Sequence, residues 1–183
     1  MPDFPPFPTL SDMLGPNAHF SESFNGLCQF PAIDSAIASR HARALGLAGE
    51  RLVESILLRH GLFPAPMPDG SPSDLLIPLA NMSLRLQVKT TTRCGPRGYT
   101  FRMTKGYRFS PAGCRPYDEG DFDIAAVVAL PINTVMFTAS QMTTLLMPFE
   151  RIPLYQAQPL ASLETALAEL RSRACRPILH RAA

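Results

Sequence analysis

The chain has 183 residues, a net charge of +2, 46% hydrophobic and 17% charged residues, and a mean hydropathy of +0.04, the composition of a soluble globular protein with room for a core. It argues against a membrane span, since the longest apolar run, around residues 124–130, falls far short of the roughly 18 residues a span requires. No basic-then-apolar leader opens the chain, and Cys28, Cys94, Cys114 and Cys175 are scattered without metal-ligand spacing, so they read as reduced thiols of a cytoplasmic protein.

Residues 1–31 hold six of the nineteen prolines and no sustained periodicity. They read as an arm whose Phe4, Phe7, Phe20, Phe24 and Phe30 pack either on the domain or on a partner. A helix is expected from Asp34 or Ser35, as N-cap, to about His60, with Gly61 ending it. Leu45, Ala48, Leu52 and Ile56, with Gly49, Val53 and Leu57, recur at helical spacing as one apolar stripe. At about 100° per residue, Glu50 falls on the flank of that stripe and Glu54 farther toward solvent. Gly49 permits close approach of the helix to a sheet.

After a Pro/Gly-rich loop over residues 61–72, the pattern changes period. Ser73–Ile77 and Leu84–Thr91 read as two strands of a hairpin, joined by a turn at Asn81–Ser83. Leu84, Leu86 and Val88 alternate with Arg85, Gln87 and Lys89, so Gln87 and Lys89 share a face, expected to point away from the core. Leu75 and Ile77 take one face of the first strand and leave Asp74 on the other. An acid, an amide and a lysine therefore converge, a set able to hold a divalent metal and polarise a water beside a phosphate. Residues 100–104 alternate as a third strand, 105–120 are mostly loop, and Ile124–Leu130 is a continuous apolar run expected to be covered on both faces. Val135–Thr138 forms a further strand. A last helix runs from Ser162 to about Arg173, with Leu163, Ala166, Leu167 and Leu170 inward and a basic tail behind it. The order describes an α/β or α+β domain with a mixed sheet flanked by helices. It divides into the arm (1–31), a core (32–158), and a C-terminal helix with its tail (159–183).

Charge is unevenly spread. Between Asp74 and Asp118 there is no acid, while Arg85, Lys89, Arg93, Arg97, Arg102, Lys105, Arg108 and Arg115 supply eight of the seventeen basic residues. Tyr99, Phe101, Tyr107, Phe109 and Tyr117 are interleaved with them, a mixture suited to a phosphate backbone. Lys89-Thr90-Thr91 lacks the Gly-rich stretch of a P-loop, the four histidines have no paired ligand spacing, and no serine sits in a nucleophile elbow.

Gly49-Glu50, Pro72-Ser73-Asp74 and Gln87-Val88-Lys89, in that order and spacing, resemble the signature of the PD-(D/E)XK nuclease superfamily, most closely its Holliday-junction-resolvase-like and intron-homing branches. The likeness spans residues 43–139 and includes Tyr117 and Asp123. It implies a restriction-endonuclease-like fold and a metal-dependent endonuclease acting on DNA, with Glu50, Asp74, Gln87 and Lys89 as catalytic residues. It further implies Mg²⁺ or Mn²⁺ held by Asp74, the Val88 carbonyl, Glu50 and Gln87, and Lys89 beside the attacking water. Gln87 stands where most members carry an acid, which removes one negative charge from the metal site. DNA is the expected partner, a homodimer the candidate assembly, and Arg85, Arg93, Arg97, Arg102, Lys105, Arg108 and Arg115 the expected phosphate contacts. Two rival readings stand beside it: a catalytically silent nucleic-acid-binding module of the same fold, and a partner-binding structural protein that uses the arm.

Overall fold

A computed structural model describes residues 26–27, 29–80, 82–106 and 113–174. The chain divides into two compact units, Met1–His41 and Ala42–Ala183. Most of the expected arm, together with Arg108, Arg176 and Arg181, lies outside the described residues.

In the first unit, helix α1 (Ser35–Arg40) is capped by Asp34, whose carboxylate accepts the N–H groups of Ala36 and Ile37. The expected single helix to residue 60 is in fact two. At His41 the backbone (φ −104°, ψ 19°) leaves the helical basin, and α2 (Ala42–Arg59) begins in the second unit. Neither Gly nor Pro marks that break, so residue spacing runs straight through it.

The second unit is built on a five-stranded sheet. Its strands are β1 (Ala65–Pro66), β2 (Leu75–Pro78), β3 (Ser83–Thr91), β7 (Ile124–Ala129) and β8 (Thr134–Thr138), adjacent in that order. β2 and β3 pair antiparallel, with Leu75 opposite Leu86. β3 and β7 pair parallel, with Gln87 beside Ala125 and Lys89 beside Val127, and β8 returns antiparallel to β7. Every residue of β7 is buried, as its unbroken apolar run requires of a strand covered on both faces. The sheet is therefore mixed and flanked by helices, with α2 against β3, and α3 (Ile152–Ala157) and α4 (Ala161–Ala174) against β8. The α/β expectation holds. Among the described residues no helix is long and apolar enough to cross a membrane.

The strand expected at residues 100–104 begins slightly earlier, as β4 (Gly98–Arg102), and does not join the central sheet. It pairs antiparallel with β9 (Thr144–Pro148). Tyr99, Phe101, Leu145 and Met147 of this ribbon pack with Ala125, Val127 and Ala129 of β7 in one buried cluster. A further short pair, β5 (Thr104–Lys105) with β6 (Arg115–Pro116), lies in the segment expected to be mostly loop.

The other face of the sheet receives α2, which buries Gly49, Val53, Ile56 and Leu57 while Ala48 stays exposed. A Cβ on Gly49 would stand 1.9 Å from Thr90 Oγ1 and 3.1 Å from Thr90 Cβ, so glycine at this point is what lets helix and strand meet. The helix then ends as its C-terminal glycine requires, with Gly61 at φ +77° and the Leu62 N–H donating to the Leu57 carbonyl. Overpacking a well-filled contact costs about 1–3 kcal/mol. Gly49→Ala is accordingly expected to lower the melting temperature, and Thr90→Ala in the same chain to restore part of the loss. Thermal unfolding of both variants checks this, and a loss that Thr90→Ala does not relieve would place the close contact elsewhere.

Candidate active site

Asp74 immediately precedes β2. Its N–H donates to the Leu86 carbonyl and its own carbonyl accepts from Met67, so the backbone is held by β3 on one side and by the residue that follows β1 on the other. On β3 the groups of Leu86 and Val88 face β2, because alternate residues of a strand turn their backbone groups to the same side. Beyond the start of β2 the Val88 N–H has no strand partner, and Asp74 Oδ2 accepts it at 2.7 Å. The same oxygen accepts Gln87 Nε2 at 2.6 Å, and that nitrogen also reaches the Val88 carbonyl at 3.1 Å. Asp74 Oδ1 makes no hydrogen bond among the described residues.

Lys89 lies two residues on, on the same face as Gln87. Its Nζ donates to the Thr104 carbonyl at 3.0 Å and sits 5.1 Å from the centre of the Tyr117 ring. Asp74, Gln87 and Lys89 line one cavity of about 560 Å³, together with Thr104, Lys105, Gly106, Arg115, Tyr117, Asp121 and residues 70–72. This face does not open to solvent as the alternation of β3 suggests. Gln87 is only 5% exposed, because the β4–β9 ribbon, with Thr104, Lys105, Arg115 and Tyr117, lies on the same side of the sheet.

Glu50 comes from α2, on the opposite face, and is not among the residues lining the cavity. Burial raises its pKa and the charge of Asp74 raises it further, so the two carboxylates act on each other across the start of the sheet. Glu54, expected toward solvent, is instead half-buried and held by Arg51 at 2.6 Å. Burial likewise raises the pKa of Asp74, against the opposing effects of the Val88 N–H and the Lys89 charge. Lys89 shows the mirror image, lowered by burial and partly restored by Asp74.

The expected basic surface is reduced by acids that follow it in sequence. Arg85 is bound by Asp123 at 2.9 Å and by the Gly120 carbonyl, and the Asp123 N–H returns to the Arg85 carbonyl. Lys105 is bridged by Asp118 at 2.5 Å and Asp121 at 2.6 Å. Arg93, Arg97, Arg102 and Arg115 are exposed and make no ion pair among the described residues. The carbonyl of Thr104 is a site group that motif spacing does not single out; it is brought in by the short β5–β6 pair.

Among the described residues no three His, Cys, Asp or Glu side chains gather as a metal site. The donors present still suit one kind of ion. Mg²⁺ binds through one or two carboxylates and keeps several waters, and two mutually repelling, desolvated carboxylates with an unpartnered Asp74 oxygen are a set that a hard cation would relieve. As oriented, Gln87 offers Asp74 its nitrogen, so it acts there as a donor, and its Oε1 accepts no hydrogen bond among the described residues.

No family model matches the chain, and no curated protein matches it either. Among solved structures it is similar to a bacterial homing endonuclease, I-Ssp6803I, with a TM-score of 0.52 and 18% identity over 73% of this chain and 96% of that one. The likeness is one of fold, and it supports a nuclease-like architecture.

The raised carboxylates make a prediction about pH. A group with a raised pKa in the folded chain binds its proton more readily there than when unfolded, so stability falls as pH rises from the ordinary carboxylate range through the raised value. The cost of ionising Asp74 therefore grows as pH rises above the ordinary carboxylate range. Asp74→Asn keeps an acceptor for Val88 and removes the charge, and is expected to raise the melting temperature at pH 7 by a few degrees in EDTA, with the gap closing toward acid pH. Unfolding from pH 4 to 8 checks this; a variant less stable than wild type at pH 7 would contradict it.

Proposed function

We propose that the chain is a metal-dependent endonuclease that hydrolyses phosphodiester bonds in DNA, with a PD-(D/E)XK-type centre in its Gln-x-Lys form. The observation that carries this reading is the meeting of Asp74 and Lys89 on one face of the sheet, in one polar cavity, with an Asp74 oxygen left without a partner. The likeness of fold to a homing endonuclease supports it.

Asp74, with the Val88 carbonyl and with Glu50 or Gln87 Oε1, would hold Mg²⁺ or Mn²⁺. When bound, the ion supplies Lewis acidity toward a phosphate oxygen and lowers the pKa of water. The Lys89 ammonium, fixed by Thr104 and seated on Tyr117, orients the attacking water and offsets charge that builds on the phosphate oxygens. Water oxygen bonds to phosphorus as one ester P–O bond breaks, and the departing sugar oxygen takes up a proton. Arg93, Arg97, Arg102 and Arg115, which make no close ion pair among the described residues, are the residues proposed to meet the DNA backbone. Arg85 and Lys105 are compensated by acids and serve mainly to fix the cavity wall. A silent DNA-binding module is the second reading, favoured by the Gln87 amide that already satisfies one Asp74 oxygen.

Cleavage of supercoiled, linear and branched DNA with Mg²⁺, Mn²⁺ or EDTA separates the two. Asp74→Ala is expected to abolish metal-dependent cleavage, and Lys89→Ala to slow it about a hundredfold or more while DNA binding is largely kept. Cleavage that survives both substitutions would end the assignment, and DNA binding without cleavage would leave the silent module. Arg93→Ala, Arg97→Ala and Arg102→Ala combined are expected to make the dependence of log affinity on log salt shallower, by up to about 0.9 for each phosphate no longer neutralised. An unchanged slope would move the DNA to another face.

A further inference from the structure

The wall of the cavity beside Lys89 is built around one aromatic side chain. Two ammonium groups face the Tyr117 ring, Lys89 at 5.1 Å and Lys105 at 5.8 Å from its centre, and the ring meets that of Phe122 in a T-shaped contact with centres 5.0 Å apart and planes at 87°. Lys105 is itself fixed by Asp118 and Asp121, and the carboxylate of Asp121 also accepts the Asp118 N–H at 2.7 Å. The ring is therefore held on several sides by groups that are held in turn. Its hydroxyl makes no hydrogen bond among the described residues. The contacts with Phe122 and the two lysines use the ring alone, so packing at this position needs an aromatic side chain but no hydroxyl.

An unpartnered phenol in a polar cavity calls for an acceptor from outside the chain. Burial, and then the charges of Asp74 and Asp121, raise its pKa well above the ordinary phenol range, so it meets a ligand as a donor and not as an anion. Lys89 and Arg115 line the same cavity and favour an acceptor that is negatively charged. A phosphate oxygen can accept from all three, whereas a base edge or a sugar hydroxyl brings no negative charge to the two cations, whose neighbours Asp74 and Asp121 make no close ion pair with them.

We infer that the Tyr117 hydroxyl donates a hydrogen bond to a non-bridging oxygen of the DNA phosphate that sits beside Lys89, which makes it a further catalytic residue. This rests on the reading of the chain as a DNA endonuclease. Lys89 and Tyr117 then approach one phosphate from a common wall, and the Lys105–Asp118–Asp121 cluster sets the position of that wall.

Tyr117→Phe isolates the hydroxyl, because it keeps the ring, the contact with Phe122 and the face under both lysines. The test is single-turnover cleavage by the full chain of a DNA duplex bearing either an ordinary phosphate or one phosphorothioate diastereomer at the cleavage position. Thermal unfolding of each variant is measured alongside, and Lys89→Ala serves as a control. The expected result is a loss of about tenfold or more in the rate on ordinary DNA, with the melting temperature and DNA affinity close to wild type. Wild type should be slowed by sulfur at the oxygen that Tyr117 contacts, and Tyr117→Phe should lose that discrimination, which a merely structural role would not alter. If Lys89→Ala is inactive while Tyr117→Phe matches wild type in rate and in its response to sulfur, this inference is overturned and the nuclease reading stands. If wild type cleaves no DNA with any divalent metal, both fall together.

Discussion

One side chain completes the sheet where its second strand has not yet begun. The Val88 N–H faces a position that β2 does not fill, and the Asp74 carboxylate takes the place of the missing rung at 2.7 Å. An unpaired backbone group buried there would cost about 1–3 kcal/mol, so the fold has its own reason for an acceptor at this point. Because one oxygen of the carboxylate closes the ladder, the other is left over in the cavity. The Val88 carbonyl sits at the same unfinished edge, met among the described residues by the side chain of Gln87. Site and fold thus share a single device, in which the end of one strand exposes the groups that chemistry would use.

The same device explains the electrostatics. Asp74, Glu50 and Lys89 are all moved by burial toward their uncharged forms, and none is neutralised by a close ion pair among the described residues. Elsewhere the chain does neutralise its charges, as with Arg85 on Asp123 and Lys105 between Asp118 and Asp121. The contrast separates structural from candidate functional charge: paired groups fix the walls, and strained, unpaired ones remain where a substrate phosphate and a cation would supply the missing partners. Gln87 moderates this strain. An acid at that position would put two carboxylates in contact at the distance where the amide now donates, 2.6 Å from Asp74.

Local patterns carried most of what places this site. The alternation of β3 puts Gln87 and Lys89 on one face, and a hairpin from Ser73 to Thr91 brings Asp74 to the same face, as the register of β2 on β3 bears out. Gly49 gives the close approach of α2, and Ile124 to Ala129 the covered strand. What could not be read depends on partners distant in sequence. Gln87 is buried because β4 and β9, far apart along the chain, pair and cover its face. β9 itself has no polar alternation, since Leu146 points outward beside Leu145 and Met147 pointing inward, and α3 is too short for a helical period to emerge. The break at His41 has no residue that signals it. The apparent basic surface over-counted because Asp118, Asp121 and Asp123, which lie just past the acid-free interval, fold back onto Arg85 and Lys105.

Asp74, freed on one side by its own role in the ladder, is on this reading the anchor of a cation site beside Lys89. Titration of Mn²⁺ into the full chain without DNA, followed by water-proton relaxation, tests that anchor most directly. Saturable binding by the wild type is expected, lost in Asp74→Asn and retained in Arg102→Ala. Equal binding by wild type and Asp74→Asn, or none by either, would contradict it.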